Sequence, residues 1–165
     1  MKPLEYHVSP IDRHLRLSIE VLEHFRRHRQ RRCWDAEAGG QLFGEIGEVT
    51  ITVVRVTGPR DADTRGRFYY HPDRVAEQRE IDEQKRAGLH FLGDWHTHFQ
   101  KCPRPSKVDL KSMNECVRKS KPLLTGLFLV LVGRSAFPDG LHLSFHGQID
   151  NYSLKSGSFP IEDKG

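Results

Sequence analysis

The sequence predicts a single domain, α/β or α+β, built around a mixed sheet, and three observations lead there. Runs rich in β-branched and apolar residues come in pairs joined by turn-forming residues, as across residues 39–57. Amphipathic helical patterns are interleaved with these runs instead of being gathered at one end. One run, residues 123–132, is apolar almost throughout yet broken by Thr125 and Gly126, so it reads as a buried central strand. It is too short to cross a bilayer. At 165 residues the chain is long enough for one real core. Its 36% hydrophobic and 29% charged residues are those of an ordinary soluble protein, which sets aside disordered and membrane-spanning classes.

Taken in order, residues 1–14 are polar, with a short strand expected at residues 4–7. A helix is predicted over residues 18–29, where Ser18 suits an N-cap and Ile19, Leu22 and Phe25 recur at helical spacing. A hairpin follows at residues 39–57, turning near residues 45–48. Residues 58–66 are a loop by composition, and residues 68–70 a short strand. Pro72 fits the first position of a surface helix that Gly88 ends, with Glu80–Gln84 and Asp82–Arg86 as neighbours one turn apart. A buried strand is predicted over residues 89–95, then a loop at 99–105 and a helix at 106–119 with Leu110, Met113 and Val117 on its core stripe. A further strand is expected at residues 141–146 after a turn at 137–140. Beyond Ile149 the chain turns polar, and residues 150–165 are expected to fray.

The charge and cysteine pattern narrows the function classes. The formal charge is +4, and much of the excess sits in the run from Arg26 to Arg32. Nucleic-acid binding is one reading of that run, but cations also favour a helix C-terminus. No aromatic residue interleaves with the run to stack bases, which disfavours nucleic acid as the partner. Cys33, Cys102 and Cys116 form neither a disulfide framework nor a four-cysteine zinc site, so a reducing compartment is the default. The N-terminus carries no signal-like apolar stretch, and a cytoplasmic location with no membrane partner is expected.

The chemistry centres on Gly93-Asp94-Trp95-His96-Thr97-His98, followed after seven residues by Ser106-Lys107-Val108-Asp109. On a strand, alternate side chains share a face, so His96 and His98 point the same way and Thr97 the other. Two imidazoles so placed can reach one metal ion, and Asp109 at the start of the next helix would close the set. Three protein ligands with a position left for water describe a catalytic zinc site, whereas structural zinc takes four. Taken singly, each feature has a plainer reading. His-x-His on a strand is commonly just two half-buried histidines, and Ser-x-x-Asp before a helix is a capping box.

This H-x-H-x7-S-x-x-D pattern, with Glu37-Ala38-Gly39-Gly40-Gln41-Leu42-Phe43-Gly44 upstream, resembles the JAMM (MPN-plus) family of zinc-dependent isopeptidases. The likeness covers roughly residues 15–147. Its wording is most similar to small bacterial members, among them the peptidases of CBASS anti-phage operons that release a nucleotidyltransferase (CD-NTase) from proteins joined to its C-terminus. The resemblance implies a cytidine-deaminase-like sandwich of sheet and helices, which decides for α/β over α+β, and one Zn2+ per chain held by His96, His98 and Asp109. It also decides for Glu37 as the acid/base carboxylate, since from residue type alone Glu45 and Glu48 are as close in sequence. By its family position Ser106 would donate to the oxyanion of the tetrahedral intermediate, a role compatible with capping. The implied substrate is a ubiquitin-like protein or a CD-NTase conjugate whose extended C-terminal tail is cleaved at the bond to a lysine or other amine.

Asp94 shares the strand face of the two histidines and is a candidate to orient a ligand imidazole, against a simple surface hydrogen bond. Phe99 stands where many family members have proline and is a candidate to line the substrate groove. Cys102, between the ligands, could compete with water for the metal or be a bystander. Trp95 and Thr97 face the core. The short 99–105 loop leaves no room for the insertions with which eukaryotic members grip two ubiquitins. Three other readings stand beside the isopeptidase: a protease maturing a ubiquitin-like or sulfur-carrier precursor, a nucleotide deaminase, and a metal-free scaffold. The deaminase lacks its H-x-E and P-C-x-x-C ligands here, and the scaffold reading predicts missing ligands that are in fact present.

Overall fold

A computed structural model describes residues 1–157. Strands β1 (Leu4–Val8) and β2 (Arg13–Leu17) form a hairpin, joined by a short 3-10 turn. Helix α1 (Ile19–His28) follows, then β3 (Gly39–Ile46) and β4 (Thr50–Val56). Next come β5 (Thr64–Gly66), β6 (Tyr69–His71), α2 (Arg74–Arg86), β7 (His90–Thr97) and α3 (Lys107–Ser120). Strands β8 (Gly126–Val132), β9 (Leu141–Gly147) and β10 (Asn151–Leu154) complete the chain. Eight strands make one sheet in the order β1-β2-β4-β3-β7-β8-β9-β10, and β5 pairs with β6 separately. The β2–β4 and β7–β8 pairs are parallel and the rest antiparallel, which is the expected mixed sheet.

The alternation of side chains along β8 divides the core. Phe128, Val130 and Val132 join the cluster under α1 with Leu22, Phe25 and Trp95. Leu127, Leu129 and Leu131 join Met113 and Val117 of α3 on the other face. Helix α1 is held at its start by Ser18, whose Oγ accepts from the Val21 amide at 3.3 Å. Between β7 and β8 the backbones come so close that a Cβ at Gly93 would overlap the Phe128 carbonyl oxygen. Gly93 also has φ +141°, a region that side chains avoid. Both constraints fall two residues before Trp95, where β7 enters its run to the histidines.

Four expectations need correction. The stretch after Ile149 does not simply fray: β10 pairs with β9, and Ser156 bridges back to Tyr6 on β1, so the two sheet edges meet. Residues 158–165 of the expected tail lie outside the described residues. Pro72 is not the first residue of α2; Asp73 caps that helix, accepting from the Ala76 amide at 2.8 Å, and Pro72 precedes it. Glu80 does not turn to Gln84 but pairs with Arg60. The loop at 58–66 contains strand β5. No helix among the described residues is long and apolar enough to cross a membrane.

Candidate metal centre and active site

Strand β7 delivers His96 and His98 to the face on which α3 packs; His96 lies in register with Leu131 of β8, itself beneath α3. The first turn of α3 supplies Asp109, fixed there by a complete capping box. Ser106 Oγ accepts from the Asp109 amide at 3.1 Å, and Asp109 Oδ2 accepts from the Ser106 amide at 2.7 Å. The cap therefore aims the carboxylate as well as starting the helix.

The Nε2 atoms of His96 and His98 lie 3.1 Å apart. Asp109 Oδ1 is 2.9 Å from His96 Nε2, and its Oδ2 is 3.3 Å from His98 Nε2. Zinc bonds of about 2.0–2.1 Å in tetrahedral geometry place neighbouring donors about 3.3 Å apart. The two imidazole nitrogens and the Asp109 carboxylate, which meets one with each oxygen, thus lie at about the spacing of neighbouring donors on one ion, and this donor set fits a metal ion. Among the described residues this is the one group of three or more His, Cys, Asp or Glu side chains that could hold one. The electrostatics agree. Burial would raise the Asp109 carboxyl, but the two imidazoles and the Ser106 amide hold it far below the usual carboxylate range. Burial would lower His98, and Asp109 and Glu37 together raise it.

Glu37 precedes β3, in the segment that pairs with the end of β7. Its carboxyl is pushed up to about 7, first by burial and then by the charge of Asp109, with His98 opposing. The Glu37 amide donates to the Gly66 carbonyl at 2.8 Å, and Arg65 donates to the Glu37 carbonyl at 3.1 Å. Its neighbour Ala38 is clamped to Thr97: the Ala38 amide donates to Thr97 Oγ1 at 2.9 Å, and the Thr97 amide to the Ala38 carbonyl at 2.8 Å. Gly39 allows this closeness, since a Cβ there would overlap the Tyr70 ring and the Trp95 carbonyl.

The remaining candidates sit as follows. Asp94 has a buried Oδ1 with no hydrogen-bond partner among the described residues. Burial raises its carboxyl to about 7, and the charges acting on it are Glu77, Arg74 and Arg60, not either ligand imidazole. Phe99 is half-buried beneath Arg134, whose guanidinium carbon is 4.2 Å from the ring centre. Cys102 is exposed. The imidazole of His98 has Gln100 beside its Nδ1, with Oε1 at 3.4 Å.

Two nearby residues carry no signal of the site in the sequence. Thr97 reads as core, and it is buried, but its hydroxyl ties the metal strand to the Glu37 segment. His142 of β9 pairs with Leu131 in the row that includes His96, and its Nε2 is buried with no partner among the described residues. Burial lowers its imidazole, which also feels the charges of His98 and Asp109. The alternation Leu141-His142-Leu143 marks a strand but not its neighbour across the sheet.

A mixed sheet whose His-x-His strand end meets an acid-capped helix defines a JAB-type domain, the fold of the JAMM peptidases. Residues 18–143 match the family described as prokaryotic homologs of the JAB domain, and the chain belongs to it. Three curated relatives carry the name CD-NTase/cGAS isopeptidase. The protein from Pseudomonas aeruginosa (strain BWHPSA011 / Pa011) is 32% identical over 127 residues, covering 74% of this chain and 78% of its own. Those from Vibrio cholerae serotype O1 and Escherichia coli (strain TW11681) are 31% and 26% identical. They cover 67% and 77% of this chain and 70% and 81% of their own. The fold is shared with a solution structure from Desulfitobacterium hafniense (TM-score 0.56, 19% identity, 86% of this chain and 88% of that one). A second, from Salinibacter ruber, aligns with TM-score 0.52 and 17% identity over 88% and 92% of the two chains.

Proposed function

We propose that the chain is a zinc-dependent isopeptidase of a bacterial anti-phage system. In this reading it hydrolyses the amide that joins the C-terminal tail of a CD-NTase, or of a ubiquitin-like protein, to a target amine. The observation that carries it is the convergence of His96 Nε2, His98 Nε2 and Asp109 within 3.3 Å of one another beside a carboxyl raised to about 7. The names of the relatives support the conjugate as substrate.

His96, His98 and Asp109 would hold the ion, leaving one position open as a catalytic site requires. Zinc bound there would acidify the attacking water and polarise the scissile carbonyl. Glu37 takes the proton that water loses and passes it to the departing amine, work suited to a half-buried carboxyl whose burial favours the protonated form. Ser106 has its Oγ lone pair engaged by the Asp109 amide, which leaves its own proton free to donate to the developing oxyanion. Water adds across one amide bond, so a carboxylate tail and a free amine leave. The Ser106–Asp109 cap and the Thr97–Ala38 clamp keep these groups fixed before substrate arrives, which is where an orienting site gains its rate.

The test is a purified CD-NTase joined through its C-terminal carboxyl to a lysine side chain. The protein should release CD-NTase with an intact C-terminus by mass spectrometry, stop when chelated, and recover when zinc is returned. No release from this conjugate or from a ubiquitin-like one, or release indifferent to chelation, would refute the reading.

A further inference from the structure

Beside Glu37 the surface carries a cluster that the hydrolytic site does not use. The turn after α1 exposes Arg31, Arg32 and Trp34, and the β5–β6 hairpin exposes Arg65, Arg67 and Phe68. Trp34 is 69% and Phe68 76% exposed, large apolar faces left open on the surface. A guanidinium lies over each ring: Arg32 at 5.7 Å from the Trp34 ring centre, and Arg67 at 4.6 Å from that of Phe68. Among the described residues none of the four arginines of the cluster forms an ion pair. Asp35, the acid of the turn, already accepts from the amides of Arg31 and Arg32 at 2.8 Å each.

The two limbs are one surface because a buried side chain joins them. Gln30 is 1% exposed, and its Nε2 donates to the Asp35 carbonyl at 2.9 Å and to the Arg67 carbonyl at 3.1 Å. The exposed rings are each one residue from those carbonyls. The same hairpin is bonded to the catalytic segment, through Gly66 to the Glu37 amide and Arg65 to the Glu37 carbonyl. A segment lying on this patch is thereby held against the hairpin that is bonded to the Glu37 backbone.

We propose that this arginine–aromatic patch binds an acidic polypeptide segment of the conjugate, close to the amide being cut. Among the described residues the four arginines have no salt bridge, Asp35 is the one acid acting on Arg31 and Arg32, and Arg65 bonds only a carbonyl. That excess of positive charge calls for an anionic partner. Exposed aromatics capped by arginine suit the apolar and planar groups that punctuate an acidic peptide, and aromatics with arginine are the residues that anchor protein interfaces. Single-stranded nucleic acid would meet the same charges by stacking on the rings. Continuity with Glu37 favours the peptide, since only a segment of the substrate gains from being held there. The proposal rests on the isopeptidase reading and adds the part of the substrate that is recognised.

The experiment uses the whole zinc-loaded protein and a fluorescein-labelled 12-residue peptide in which glutamate alternates with glycine and phenylalanine. Its comparators are the same peptide with glutamine and an oligothymidylate of equal length. The glutamate peptide is expected to bind roughly tenfold tighter than the glutamine one and to weaken as salt rises. The Arg32→Ser/Arg67→Ser and Trp34→Ala/Phe68→Ala variants should each bind it about tenfold more weakly, with metal content and Tm unchanged. Equal binding of the glutamate and glutamine peptides would overturn the proposal, as would undiminished binding by the variants, and tighter binding of oligothymidylate would reassign the patch to nucleic acid. In parallel, two isopeptide reporters with acidic or neutral flanks are hydrolysed. The arginine variant should lose the acidic preference through KM while cleaving the neutral reporter at the wild-type rate, and a preference that survives in the variant would overturn the proposal. If neither reporter is cut while the glutamate peptide still binds at the patch, the isopeptidase reading falls and the docking surface stands.

Discussion

In the proposed reaction Glu37 is the residue that moves the proton, and its environment sets a pH signature for that role. Burial and the neighbouring Asp109 charge raise its carboxyl to about 7. The base form is lost as pH falls through that value, so kcat/KM should decline on the acid side with a limb at or below about pH 7. A bound dication favours the carboxylate and moves the limb lower, never higher. Glu37→Gln keeps the size and removes the proton acceptor, so zinc content should persist while turnover falls by roughly 100- to 10,000-fold. Full activity in that variant would place the base elsewhere. Ser106 needs a different dissection, because it both caps α3 and faces the site. Ser106→Gly costs a cap only a few tenths of a kcal/mol but removes the oxyanion donor, for which a loss of about 100- to 1000-fold in kcat is expected. A pure capping role would leave kcat almost untouched in the same variant.

Between β3 and β7, one hydroxyl ties the segment that carries Glu37 to the histidine strand. Thr97 stands between two ligands yet points away from them, and its bonds to Ala38 fix the Glu37 segment against the metal strand. Thr97→Val keeps shape but strands the Ala38 amide, a cost of about 1–3 kcal/mol in stability. A misplaced carboxylate should also lower kcat by up to roughly 100-fold, with KM and metal content unchanged and rescue by Thr97→Ser. If Thr97→Val lowers Tm alone and leaves kcat intact, Thr97 is only core. This is also the scale at which the sequence reads best and fails most clearly. Strand periodicity puts His96 and His98 on one face, and Ser106 with Asp109 announces the start of α3, so the members of the His96–His98–Asp109 group are legible from two local patterns. The clamp is not legible, because it joins residues far apart in sequence through pairing that no local pattern encodes. Helix α2 lies on the surface as expected, but its inner polar contacts are hidden for a related reason. Glu80 reads as a neighbour of Gln84 on an exposed helix, yet it meets Arg60 in a polar layer with Asp63 and Tyr70, and Glu77 is buried beside Arg74.

Across the whole molecule, the sheet is both scaffold and divider. β8 has all of its residues buried, sending alternate side chains to the α1 and α3 layers. Its apolar run makes it the easiest strand to find in the sequence. β10 is the hardest, because Asn151-Tyr152-Ser153-Leu154 is polar and takes its order from pairing with β9 and closing toward β1. Phe128→Ala in the buried layer should cost about 3–5 kcal/mol, lowering Tm by roughly 6–20 °C. A shift under about 2 °C would mean the layer is less tightly packed than its burial indicates. The central claim is that this scaffold brings two imidazoles and a carboxylate to one ion, and metal stoichiometry tests it most directly. Protein loaded with zinc and dialysed should retain about one ion per chain, falling to near zero in the His96→Ala/His98→Ala double variant while the fold persists. Equal zinc in wild type and double variant, or wild-type protein that holds none and still hydrolyses the conjugate, would contradict it.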